Sequence, residues 1–117
     1  MCGIFGIISD KKIDKSDFIA LGNFARERGK DSSGFCYYNN KYIIKRYEED
    51  IKYTIENITD LLKNFAIGHS RLITNSTPDN QPVVRDEIVC IHNGIITNYE
   101  KIFLKYKLKK KFNIDTE

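Results

Sequence analysis

Tryptophan is absent from this 117-residue chain, methionine occurs once, and histidine and proline occur twice each. Cysteine is scarce and odd in number: Cys2, Cys36 and Cys90 cannot form a disulfide framework. No zinc spacing is present either. Cys2, Cys36, Cys90, His69 and His92 include no CxxC or HxxxH pair, and Cys90 and His92 share a strand face with nothing else beside them. No metal or other cofactor is therefore expected. Neither a signal peptide nor an apolar run of membrane-spanning length appears, so the expected setting is the reduced cytoplasm, with no membrane partner. Charge of one sign is also lacking. Nineteen basic residues against 16 acidic ones leave a net +3, too little to argue for nucleic acid. The basic excess sits in Lys105, Lys107, Lys109, Lys110 and Lys111, which read as a solvated helix face and its exit. Repeats and low-complexity segments are absent.

What is there suits one domain. A hydrophobic fraction of 41% with 30% charge, plus seven Tyr and seven Phe, supplies one core and no second. Ile4 to Ile8 read as a buried strand. Asp14 can cap a helix reaching about Glu27, with Phe18, Leu21, Gly22 and Ala25 on its apolar face. Phe35–Tyr38 and Tyr42–Tyr47 read as a hairpin turning at Asn39-Asn40. A second helix is predicted from Asp50 to Lys63, through Ile51, Ile55, Ile58 and Leu62. Phe65–His69 is a short strand entering a loop, Ser70 to Pro82, that holds both prolines. Long ordered loops tend to carry function. Ile88–His92 is the clearest strand and ends in Asn93-Gly94. Thr97 and Glu100 form a capping box for a last helix, with Tyr99, Ile102, Phe103 and Tyr106 on its buried stripe. Phe112–Ile114 could start a further strand.

The chemistry begins at Met1-Cys2-Gly3-Ile4-Phe5-Gly6. A small residue after Met1 favours removal of that Met, leaving Cys2 with a thiol and a free α-amine. An α-amine titrates near ~8, so part of it can take the thiol proton at neutral pH without any histidine. On position alone, a small residue at a frayed terminus is the simpler reading of Cys2. Three further stretches bear on the choice. They are Arg28-Gly29-Lys30-Asp31-Ser32-Ser33-Gly34, then Gly68-His69-Ser70-Arg71-Leu72-Ile73-Thr74, then His92-Asn93-Gly94-Ile95-Ile96-Thr97-Asn98-Tyr99.

Together and in this order, these stretches closely resemble the glutaminase domain of class II glutamine amidotransferases. The likeness runs from residue 2 to residue 117 and is strongest to the glucosamine-6-phosphate synthase and amidophosphoribosyltransferase type. The resemblance implies an α+β fold, the αββα sandwich of N-terminal-nucleophile hydrolases. It implies hydrolysis of L-glutamine to glutamate and ammonia through a thioester on Cys2. Asn93 and Gly94 would supply the oxyanion donors. Arg71 would pair with the α-carboxylate of glutamine, Thr74 would add a hydroxyl, and Asp115 would take the α-ammonium. Arg28 and Asp31 match positions next to the site, while His69 and His92 are read as structural.

The chain departs from the pattern at Leu72, where an aromatic residue is usual, and at Asn75 and Ser76. Family domains also continue well past the match to residues 113–117. The expectation is a truncated, incomplete sandwich without its acceptor domain, which would need that domain or a partner chain. Uncovered sheet edges and apolar surface would favour self-association and weak turnover. The rival reading is a degenerate or truncated glutamine-binding module without turnover. An interaction domain with no chemistry would leave the coincidence of all four stretches unexplained.

Overall fold

A computed structural model describes residues 1–72 and 80–108. Thr74, Asp115 and the segment 112–114 lie outside the described residues, so the expectations placed on them are not addressed. The first strand, β1 (Gly3–Ile8), leads into α1 (Lys15–Arg26). The side chain of Asp14 accepts the Ser16 N–H and caps α1 as predicted, and Phe18, Gly22 and Ala25 are buried. The hairpin is β2 (Ser32–Tyr38) and β3 (Tyr42–Tyr47). Asn40 turns it with φ 61°, in the left-handed region that Asn tolerates better than most residues.

The second helix is shorter than its apolar spacing suggests: α2 covers only Ile51–Ile55. Its continuation through Asn57 and Thr59 is poor in helix formers. The Lys15 ammonium donates to the Glu56 and Ile58 carbonyls, which a longer helix would have bonded to its own amides. Ile58 and Leu62 are buried all the same. Next comes β4 (Phe65–Arg71), two residues longer than expected because Ser70 and Arg71 continue the pairing. A short hairpin follows, β5 (Val83–Arg85) and β6 (Ile88–Cys90), turning at Asp86 with φ 52°. The last helix, α3, spans Tyr99–Lys105. Its predicted capping box is not formed. Asn98 stands at the cap with no side-chain bond, and no α3 residue is buried. Tyr106, expected on a buried stripe, is 62% exposed.

Four strands form one antiparallel sheet in the order β1-β4-β2-β3. Alternation along each strand sorts its side chains between two faces. Phe5, Ile7, Phe35, Tyr37 and Ala66 join α1 and α2 in a core around Phe18, whose ring lies 5.0 Å from Phe5 and 6.1 Å from Phe35. The opposite face carries the ladders Ile4–His69–Gly34–Arg46 and Gly6–Ile67–Cys36–Ile44. On that face β1 is less buried than predicted, with Ile4 and Ile8 49% and 81% exposed. The fold is therefore a small α+β unit, with helices on one face of an antiparallel sheet. No described helix is long and apolar enough to cross a membrane.

Candidate active site

Cys2 sits just before β1, in the sheet that also carries β4 and β2. Gly3 explains how it lies so close to α1: an added Cβ there would meet the Ala25 carbonyl oxygen at 2.2 Å. Only glycine lets the strand start against the C-terminal turn of that helix. Cys2 is buried, 8% exposed, while Met1 before it is 76% exposed. The Arg28 Nε–H donates to the Cys2 carbonyl at 3.3 Å, and another Arg28 nitrogen lies 3.6 Å from the Met1 sulfur. The Cys2 thiol points toward the Leu72 carbonyl, 3.9 Å away.

Ninety-one residues further on, Asn93 returns to the same place. The Cys2 backbone N–H donates to Asn93 Oδ1 at 3.1 Å. A carboxamide used this way still has two N–H donors on Nδ2. If Met1 is removed, the same oxygen faces the α-amine of Cys2. Gly94 follows directly, half-buried beside the His92 ring.

The two middle stretches meet as well. The Asp31 N–H donates to the Arg71 carbonyl at 2.9 Å, and the Ser70 hydroxyl donates to the Gly29 carbonyl at 2.6 Å. This stitches the turn after α1 to the end of β4. Arg71 is only 4% exposed, so it is a strand-end residue held inside the fold rather than the loop residue its position suggested. Cys2, Arg28, Asp31, Arg71, Asn93 and Gly94 thus all stand on neighbouring segments at one end of the sheet.

His69 lies on the face away from the helices. It is fully buried, and neither ring nitrogen has a hydrogen-bond partner among the described residues. Burial pushes it down to about 4, with the positive charge of Arg71 adding to the effect. The His92 backbone is near enough to ease the shift but is not placed to bond either nitrogen. No three His, Cys, Asp or Glu side chains converge to hold a metal among the described residues.

Sequence reasoning overlooked Asn80 and Gln81. The Asn80 carboxamide donates to the Ser33 and Tyr47 carbonyls at 2.9 and 2.7 Å, and its oxygen accepts the Gln81 N–H at 2.9 Å. Gln81 in turn bonds both backbone groups of His92. Their place beside Pro82, in a loop already marked as long, was the one available signal.

No family profile matches the chain. It is similar along its whole length to glutamine–fructose-6-phosphate aminotransferases (isomerizing). That of Wigglesworthia glossinidia brevipalpis is 34% identical over 128 aligned residues, covering 100% of this chain and 21% of the relative. The Buchnera aphidicola protein of that name is 36% identical, with 100% of this chain and 20% of the relative aligned. A putative asparagine synthetase (glutamine-hydrolyzing) of Methanocaldococcus jannaschii is 31% identical, over 100% of this chain and 21% of its own length. The chain spans about a fifth of the length of these curated relatives.

Proposed function

The chain belongs to the glutamine amidotransferases, and from that membership we propose that it is the start of a glutaminase unit with Cys2 as its nucleophile. The observation that carries this reading is the contact between Cys2 N–H and Asn93 Oδ1. It joins the only residue able to offer a thiol and an α-amine to the only Asn-Gly pair.

In this reading Met1 is removed and the α-amine takes the thiol proton. The thiolate attacks the side-chain amide carbon of L-glutamine. An S–C bond forms, and the carbonyl π pair moves to oxygen. That oxyanion is held by Asn93 Nδ2–H and the Gly94 N–H, a donor pair of which each member typically contributes ~2.7–4 kcal/mol. Protonated by the α-ammonium, the amide nitrogen leaves as ammonia. Water then hydrolyses the γ-glutamyl thioester to glutamate. Arg71 pairs with the α-carboxylate of glutamine, Thr74 adds a hydroxyl and Asp115 holds the ammonium. Arg28 fixes the Cys2 carbonyl and Asp31 the Arg71 backbone, so both act through their neighbours. The ammonia passes to an acceptor domain or partner chain, and the complete fold is an αββα sandwich. The helix layer on one sheet face, with apolar side chains on the other, supports that architecture.

A glutamine-analogue electrophile tests the chemistry. The chain lacking Met1 should be labelled once, on Cys2, and Cys2→Ala not at all. A chain that keeps Met1 and still turns over glutamine would refute an N-terminal nucleophile. Labelling without turnover would favour the alternative, a glutamine-binding module.

A further inference from the structure

We infer that Gln81 is the positioning residue that sets Asn93 against Cys2; this rests on the proposed role of Asn93. The strand ladder of β6 stops at Cys90, yet His92 is held as if in a strand. The His92 N–H donates to Gln81 Oε1 at 2.6 Å, and Gln81 Nε2 donates to the His92 carbonyl at 3.1 Å. One carboxamide thus supplies both halves of a strand pairing to the residue just before Asn93.

Gln81 is itself fixed to the sheet. Its carbonyl oxygen lies where Gly34 leaves room, 1.8 Å from the Cβ that any other residue would place there. Only a glycine permits that approach. Asn80, one residue before, is satisfied at both ends of its carboxamide by Ser32, Ser33, Tyr47 and the Gln81 N–H. The Pro82 carbonyl, one residue after, accepts from Arg46 Nε at 2.6 Å. A continuous chain of contacts therefore runs from β2 and β3, through Gln81, to His92 and Asn93, and from Asn93 to the Cys2 nitrogen.

Such a clamp should matter most where geometry is most demanding. An oxyanion donor displaced by a fraction of an ångström loses much of its worth, whereas ground-state binding barely changes. The γ-aldehyde analogue of glutamine reads this without turnover. The Cys2 thiolate adds to its carbonyl carbon, the π pair goes to oxygen, and a tetrahedral oxyanion forms with no leaving group. Calorimetric titration of the Met1-free chain with this aldehyde and with glutamate compares the two states.

Gln81→Leu should weaken aldehyde binding about tenfold or more and leave glutamate binding within about threefold. Asn93→Ala should weaken the aldehyde further, and adding Gln81→Leu to it should cost nothing more. Additive losses, or equal losses for both ligands, would overturn the positioning role while leaving the chemistry of Cys2 intact. An unsubstituted chain that binds the aldehyde no better than glutamate would defeat the glutaminase reading and this role with it. If Gln81→Leu does not fold, Gln81→Glu decides. It keeps the acceptor for the His92 N–H but faces the His92 carbonyl with a second acceptor. Its deficit for the aldehyde should exceed its deficit for glutamate; no deficit, or an equal one for both ligands, overturns the inference.

Discussion

Acid should destabilise this protein through His69, and by an amount that can be worked out. The ring is fully buried on the sheet face away from the helices, with Arg71 two residues along the same strand. Burial and the Arg71 charge lower it from the usual 6.5 to about 4. An unfolded chain therefore binds the proton more tightly than the native one. The stability is fully present above pH 6.5, declines as pH falls through that value, and is lost by about pH 4. The gap, at ~1.36 kcal/mol per pH unit, amounts to about 3 kcal/mol in full and about 2.5 kcal/mol by pH 4.5. Carboxylates titrate in the same range, so the variant His69→Leu isolates the histidine. Leucine also removes two interior nitrogens that have no partner among the described residues, so no hydrogen bond to these residues is lost. Urea unfolding at pH 7 and pH 4.5 should find His69→Leu at least as stable at neutral pH. At pH 4.5 it should lead the unsubstituted chain by an extra ~2.5 kcal/mol. Parallel pH dependences, or a neutral-pH loss above about 2 kcal/mol, would mean that the ring has a partner and that the reasoning fails.

The other predictions concern the site and the surface. Asn93→Ala should lower kcat by about 10²–10³ with a smaller effect on KM, while Arg71→Lys should chiefly raise KM, since an ammonium cannot reproduce a bidentate fork. Steady-state kinetics showing one shared defect would contradict that division of roles. Gly3→Ala drives a Cβ toward the Ala25 carbonyl, 2.2 Å away, so thermal unfolding should show a loss of about 1–3 kcal/mol. Cys2 should also react with the aldehyde more slowly in that variant, and an unchanged protein would show that the start of β1 is free to move. Ile4 and Ile8 are exposed on a face shared with Ile67, and an uncovered apolar face promotes association. Light scattering should therefore find larger species for the unsubstituted chain than for Ile8→Lys, and equal masses would remove this face from the interaction.

The elements written by local chemistry were legible in the sequence. Asp14 before an apolar 3.6-residue spacing, and Asn40 at a hairpin turn, need only their neighbours to act. Where the fold differs, a distant residue has taken over a backbone group. Lys15 holds the carbonyls that would have extended α2, and its 41- and 43-residue separations from Glu56 and Ile58 are invisible to a local window. The capping box at Thr97 and Glu100 failed in a different way. Its pattern is correct, but the helix beside it buries none of its residues, so packing adds nothing to a seven-residue helix that is marginal by itself.

The candidate site divides along the same line. Cys2 could be noticed for the thiol and α-amine it would carry, whereas Arg71 and the Asn93-Gly94 pair, ordinary by type and position, were picked out only because the stretches around them share the order of a known family. Their supports could not be picked out. Gln81 is a common polar residue in a polar loop, and nothing in its neighbours says that its carboxamide pairs with His92 eleven residues later. Gly34 stands just before the strand expected at Phe35–Tyr38, yet it lies within β2 and matters because Gln81 crosses it. Reactive groups carry their function in their own atoms, whereas positioning groups acquire it only from what the fold brings beside them. For that reason Cys2 and Asn93 could be named from the sequence, while the contact between them and the route by which the sheet holds Asn93 in place became visible only in three dimensions.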